Sequence, residues 1–281
     1  MIEIKNMAKR TTSSSTWDLL KPINTVNESS DENTKIRFES SKFIVFQSTI
    51  VASVKLDSNS YFLIDPKASK FINSNGEGWS NESLYNNYKS FIGAFACLDH
   101  PDYPEQDNVG VILDAILRKR WINKDQGTFV YYVDILVAID KQAKQGQLAR
   151  LILNGSIQYM SMGCNVAISY CSRCGQSVDY ETNSSNQYNN LDMCSHLMYS
   201  KGKRYIDNSG KERIVAELLG KEANSVEFIE ASVLSIKPAF SGAILSRILP
   251  ITTSAKYIEL SMPTKYTNKG AVKKYLLPKS I

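Results

Sequence analysis

The sequence predicts an α+β fold in which mostly antiparallel strands carry a few packed helices and one small inserted module. Three observations predict it. Short apolar runs rich in Val, Ile and Phe recur along the middle of the chain, as strands require. Only two stretches show helical spacing, near residues 141–154 and after Pro238. The stretch from residue 171 to 225 is polar, Asn-rich and Cys-bearing, unlike its flanks.

Residues 1–40 are rich in Ser, Thr, Asn and charge, the composition of a disordered N-terminal arm. Strand content begins at FIVFQSTIVASVKL (residues 43–56), and SYFLIDP is a second short strand stopped by Pro66. Ser80 or Asn81 suits the cap of a short helix. SFIGAFACLDHP is apolar until it delivers Asp99 and His100, and Pro101 halts it. NVGVILDAILRKRWI and TFVYYVDILVAI flank NKDQG, a hairpin with a Gly-ended turn. Asp140 is placed to cap a helix that puts Leu148, Leu151 and Ile152 on one face and stops at Gly155. IQYMSMGCNVAIS and VEFIEASVLSI are further strands. Pro238 opens a last predicted helix carrying Phe240, Ala243, Ile244, Arg247 and Ile248.

The 281 residues hold 43% hydrophobic and 22% charged side chains, enough for a real core. No run approaches the roughly 18 apolar residues of a membrane span, and the N-terminus lacks a signal-peptide core, so the chain reads as cytosolic. Five cysteines, an odd number without a leader, argue against a disulfide framework. The tail of residues 251–281 carries Lys256, Lys265, Lys269, Lys273, Lys274 and Lys279 against Glu259, which accounts for the net charge of +5. A solvated tail is the first reading of this, and nucleic-acid binding through it a weaker one.

Cys171 and Cys174 form a C-x-x-C pair on a tight turn ending in Gly175, and Cys194 and His196 form a second pair downstream. Three thiolates and an imidazole suit a tetrahedral structural zinc, which would hold a segment too polar for a core of its own. All four ligands then come from protein, so the site is closed rather than catalytic. Cys164 belongs to a strand and reads as a core thiol. With His196 engaged, His100 is the one histidine left for acid–base work. Ser161, followed by Gly163, is the most suggestive serine for it to activate.

The order FACLDHPDYPEQDNVGVI, LARLILNGSIQYMSMGC, FIEASVLSIKPAFSGAI resembles the prohead maturation proteases of tailed bacteriophages, which share a fold with the herpesvirus assemblin proteases. The resemblance covers about residues 90–250, and SMGC followed by a Cys/His insert is similar to the large-phage branch. It implies an assemblin-like β-barrel core surrounded by helices over residues 41–250, with the zinc-binding insertion at 171–225. It implies a serine endopeptidase in which Ser161 is the nucleophile and His100 the general base. Glu230 of FIEAS matches the acidic position, with Asp99 and Asp134 as alternatives for the group that orients His100. Substrates implied are the phage scaffold and capsid proteins, and the chain itself, inside the assembling prohead in the host cytoplasm. A backbone N–H near Gly163 would serve the oxyanion. The alternative from a different class is a non-catalytic zinc-containing virion or nucleic-acid-associated protein.

Overall fold

The computed structural model describes residues 21–22, 33–39, 42–56, 71–104, 106–125, 127–180, 193–220, 225–240, 243, 245–249 and 257–263. SYFLIDP and most of the arm and the basic tail lie outside the described residues. The strands in chain order are β1 (Lys21–Pro22), β2 (Asn33–Glu39), β3 (Phe43–Ala52), β4 (Glu77–Gly78), β5 (Phe95–Leu98), β6 (Asn108–Asn123), β7 (Thr128–Asp140) and β8 (Tyr159–Val166). They continue with β9 (Ile168–Cys171), β10 (Ser177–Asp179), β11 (Arg204–Ile206), β12 (Glu212–Ile214), β13 (Glu217–Leu219), β14 (Val226–Leu234), β15 (Leu245–Leu249) and β16 (Tyr257–Pro263). The α-helices are short: α1 (Asn81–Asn87), α2 (Gln147–Leu153) and α3 (Ser195–Ser200).

Seven strands form the main sheet in the order β15-β3-β7-β6-β5-β14-β8. All its pairs are antiparallel except β5–β14. The sheet curls on itself. Met160 donates its N–H to Ala243 O at 2.9 Å and Leu245 donates to Gln158 O at 2.8 Å, which brings the two edge strands together at one end. The expected strand-rich α+β class is therefore present. A shell of helices is not: among the described residues three short α-helices and two 3₁₀ turns accompany the sheets. No helix of the described residues is long and apolar enough to cross a membrane.

The predicted hairpin is β6–β7, with Gly127 at φ 62° closing its turn. The Ser80 side chain caps α1 by accepting from Ser83 N at 3.0 Å. The helix expected at 141–154 is confined to Gln147–Leu153, because Lys144 and Gln145 sit at φ 49° and 58° and break its first turns. It buries Leu148, Ala149 and Ile152 and leaves Leu151 exposed. The helix expected after Pro238 is absent over Leu245–Leu249, which is strand β15 on the edge of β3. Leu-Ser-Arg-Ile-Leu is too short to distinguish the periods, and here the ladder offered by β3 decides. Asn33–Glu39, within the arm expected to be disordered, is also a strand. TKIRFE alternates apolar and charged residues, and its backbone pairs with β16, Phe38 opposite Ile258 and Ile36 opposite Leu260.

The core gathers Phe46, Ile50, Leu84, Ile112, Ile139 and Leu148 around Phe91 and Phe228, whose rings stack at 4.0 Å and 8°. Ser90 Oγ accepts the N–H of Phe228 at 2.8 Å and so fixes the strand at that point. Phe228→Ala is expected to cost about 3–5 kcal/mol, the range for emptying a buried aromatic site. Urea unfolding would read this as a lower midpoint at unchanged slope.

Candidate active site and metal centre

β5 ends at Leu98, and the next two residues turn the chain sharply. Asp99 and His100 both occupy the left-handed region, at φ 54° and 49°. Two successive non-glycine residues there store strain of about 1–2 kcal/mol each. Partners on β14 hold them: Asp99 N–H donates to Val233 O at 3.1 Å, and His100 N–H donates to Ser232 Oγ at 3.1 Å.

The His100 ring meets Glu230, with Nδ1 at 2.6 Å from Oε1. The other carboxylate oxygen of Glu230 accepts from Ser232 Oγ at 2.5 Å. His100 backbone, Ser232, Glu230 and His100 ring thus close one hydrogen-bonded loop. Glu230 is only 3% exposed, so these bonds replace its lost hydration. A carboxylate accepting at Nδ1 fixes the proton there and leaves Nε2 as the free lone pair.

Gly163 lies directly opposite Glu230 across the β8–β14 pair. A Cβ at position 163 would stand 2.5 Å from Glu230 Oε1 and 3.2 Å from its Cδ. The glycine is therefore the space into which the carboxylate fits. Two residues before it on the same strand face, Ser161 lies opposite Ser232. Ser161 and His100 line one cleft with Ile50, Trp79, Glu77 and Phe240. His100 and Ser161 do not hydrogen-bond to each other. Trp79, in the cleft wall, is 2% exposed and its indole N–H has no acceptor among the described residues.

Of the three acids weighed from sequence, Glu230 is the one on His100. Asp99 Oδ1 instead accepts from Ser235 N at 3.3 Å. Asp134 is buried in the sheet, accepts from Thr49 Oγ1 at 2.6 Å and pairs with Arg118. Ser232 was not singled out from sequence. Its signal was the i, i+2 spacing from Glu230 in EAS, which puts both on one face of a strand.

The four predicted metal ligands also come together. Ligand atoms of Cys171, Cys174, Cys194 and His196 all lie within 4.8 Å of one another. β9 and β10 form a knuckle: Gly175, at φ 74°, donates its N–H to Cys171 O at 2.9 Å, and Arg173 N approaches Cys171 Sγ at 3.4 Å. Cys194 precedes α3, and His196 sits in its first turn. His196 Nδ1 is buried with no hydrogen-bond partner. A metal ion would satisfy that nitrogen, so the residues fit a tetrahedral metal site. Burial raises the Cys171 thiol to about 12. Burial raises Cys194 too, but the backbone N–H groups of Leu197 and His196 and the neighbouring thiols outweigh it, and Cys194 is lowered. Cys164 stands apart, buried opposite Phe228. Contrary to expectation, the module has a small core, in which Val178, Leu197 and Val215 pack with Cys171.

A second buried acidic group was not foreseen. Glu217 of β13 is fully buried and Glu77 of β4 is 4% exposed. Lys201 Nζ bridges them, at 2.8 Å from Glu217 Oε2 and 3.4 Å from Glu77 Oε1. Glu217 also accepts from Tyr180 and from Ser169 Oγ, the latter at 2.7 Å. Burial alone would lower Lys201, but the two carboxylates outweigh it and raise it.

No known family, characterised protein or solved structure matches the chain.

Gly163→Ala is expected to push the Glu230 carboxylate off His100 and to destabilise the fold by about 1–3 kcal/mol, the usual cost of overpacking. The NMR signal of the His100 Nδ1 proton, recorded with urea unfolding, checks both, and an unchanged hydrogen-bonded Nδ1–H signal would sink this role for Gly163. Chelation is expected to remove about one metal per chain and to open residues 171–215 to proteolysis, by four-ligand logic. Cys171→Ser should give the same fragments without chelator.

Proposed function

We propose that the chain is a serine endopeptidase of the phage prohead maturation type with an assemblin-like fold. The observation that carries the reading is the Glu230–His100 hydrogen bond at the rim of a cleft that Ser161 also lines. Glu230, held by Ser232, keeps the Nδ1 proton in place and stabilises the imidazolium that forms in the reaction. His100 Nε2 takes the Ser161 hydroxyl proton as Ser161 Oγ attacks a peptide carbonyl. The same Nε2–H then protonates the leaving amine, and a water repeats the sequence to release the acyl group. Substrate binding has to shorten the His100–Ser161 approach, a common difference between free and occupied sites.

The cleft walls mix apolar Ile50, Val51, Leu219 and Phe240 with polar Asn73 and Asn75, a lining that suits an extended peptide. Scaffold and capsid proteins in the assembling prohead, and the chain itself, are the substrates this reading assigns. The Cys/His centre holds Zn²⁺ as a structural ion: three thiolates and one imidazole close the ligand set and leave no open position for chemistry.

A fluorophosphonate probe tests the site without knowledge of the substrate. It is expected to label the wild-type chain at Ser161, and neither Ser161→Ala nor His100→Ala. Labelling that survives in Ser161→Ala would reject the assignment. On a co-expressed scaffold protein, Ser161→Ala should lower cleavage by at least about a thousandfold. Glu230→Gln should cost less, because it disturbs the orientation and charge of the base but removes no reacting atom.

A further inference from the structure

β6 outruns its neighbour. β5 pairs with it at Asn108, Gly110 and Val111, and Ile112 makes the last bonds, to Gly93 and Ala94. From Leu113 to Asn123 the strand is paired on one side only, with β7, and no strand among the described residues covers its outer edge.

The direction of the main chain along that edge follows from β7. Tyr131 gives its N–H to Ser53 Oγ and accepts from Ser53 N, both at 2.8 Å, so its polar backbone groups turn away from β6. Lys119 is its cross-strand partner, and in such a pair both residues turn their groups outward. By the two-residue period, Leu117 and Trp121 do the same. At Ala115 the outward N–H is already taken by Asp114 Oδ1 at 2.8 Å, which marks where the free edge starts. Three consecutive outward residues therefore present donors and acceptors in the spacing of an antiparallel partner.

The side chains on this edge are cationic and apolar. Between Ala115 and Tyr131 stand Arg118, Lys119, Arg120 and Lys124 against the single acid Asp125. Ile116, Trp121 and Ile122 are 55%, 43% and 47% exposed. Lys119 and Trp121 share one strand face, where Lys119 Nζ lies 4.0 Å from the Trp121 ring centre and 3.8 Å from that of Phe129. Arg118 and Arg120 occupy the other face, with Arg118 anchored on Asp134.

We propose that the free edge of β6 from Leu117 to Trp121 docks an extended acidic polypeptide segment by strand addition. Positive charge on both faces repels a second copy of the same edge and favours a strand with acids on both of its faces. Nucleic acid fits less well. It has no use for the main-chain row, and Trp121 already carries Lys119 over one ring face and Phe129 at its edge. The proposal is independent of the catalytic reading, since the edge shares no residue with the cleft.

The test uses the full chain and three fluorescent probes: a Glu-Val dodecapeptide of three Glu-Glu-Val-Val repeats, which as a strand carries acids on both faces, its Lys-Val counterpart with Lys for Glu, and an oligo(dT) of matching length. Anisotropy is expected to show binding of the Glu-Val probe, weakening with salt, and no comparable binding of the other two. Lys119→Gln should weaken it, and Lys119→Pro should weaken it about tenfold further, one main-chain hydrogen bond, while sparing the ladder to β7. If the proline variant does not fold, the double variant Lys119→Gln, Arg120→Gln decides by a smaller salt dependence. Preference for oligo(dT), absence of Glu-Val binding, equal effects of Gln and Pro in folded variants, or an unchanged salt dependence in the double variant would overturn the proposal. Fluorophosphonate labelling of the same variants should stay at the wild-type level, which keeps this result separate from that on Ser161.

Discussion

The buried carboxylate of Glu230 is the constraint on which the rest of the site depends. An ionised group removed from water is tolerated only when its oxygens are bonded. Here one oxygen meets His100 Nδ1 and the other Ser232 Oγ. Ser232 in turn accepts the His100 N–H, so one serine ties the acid to the backbone of the base. The arrangement is possible because position 163 has no side chain. It also offsets the strain of two left-handed residues in a row, which nothing local to Asp99-His100-Pro101 would favour. Remove the carboxylate, and His100 loses the acceptor that fixes its tautomer, while Ser232 loses the partner that orients it toward the His100 N–H.

The Cys/His module is not an appendage by construction. β9, which ends in Cys171, pairs with β13, and β13 pairs with β4 in the cleft wall. The residue opposite Cys171 on β13 is Glu217, the acid that shares Lys201 with Glu77. Lys201 reaches both carboxylates, and Tyr180 and Ser169 add further hydrogen bonds to Glu217. The knuckle and the cleft wall are therefore built on the same four-stranded sheet.

Much of this was legible in the sequence for definite reasons. The NKDQG turn, the Ser80 cap and the C-x-x-C knuckle are local, and local chemistry survives folding unchanged. The four Cys/His ligands were legible because metal ligands are few and their types restrictive. What failed was long-range. Leu245–Leu249 looked helical because five residues cannot distinguish the periods, and its strand state depends on β3, some two hundred positions away. The Lys201–Glu77–Glu217 group joins three separate segments, none of which carries a motif.

Glu230 itself shows how far alternation alone would mislead. In FIEAS, Phe228, Glu230 and Ser232 are spaced by two, so a regular strand puts all three on one face. Phe228 nonetheless stacks on Phe91 in the core, while Glu230 meets His100 beside the cleft. A bulge between them resolves the conflict: Phe228 lies opposite Cys164, and Glu230 lies opposite its neighbour Gly163. Two residues on β14 are spent against one on β8, with Ile229 as the extra, and the strand changes face. Paired without the bulge, the same sequence would send the carboxylate after Phe228 into an apolar core with no donor to receive it, and His100 would face Ile229 or Ala231. The bulge in β14 thus separates the face that stabilises the protein from the face that aims the acid.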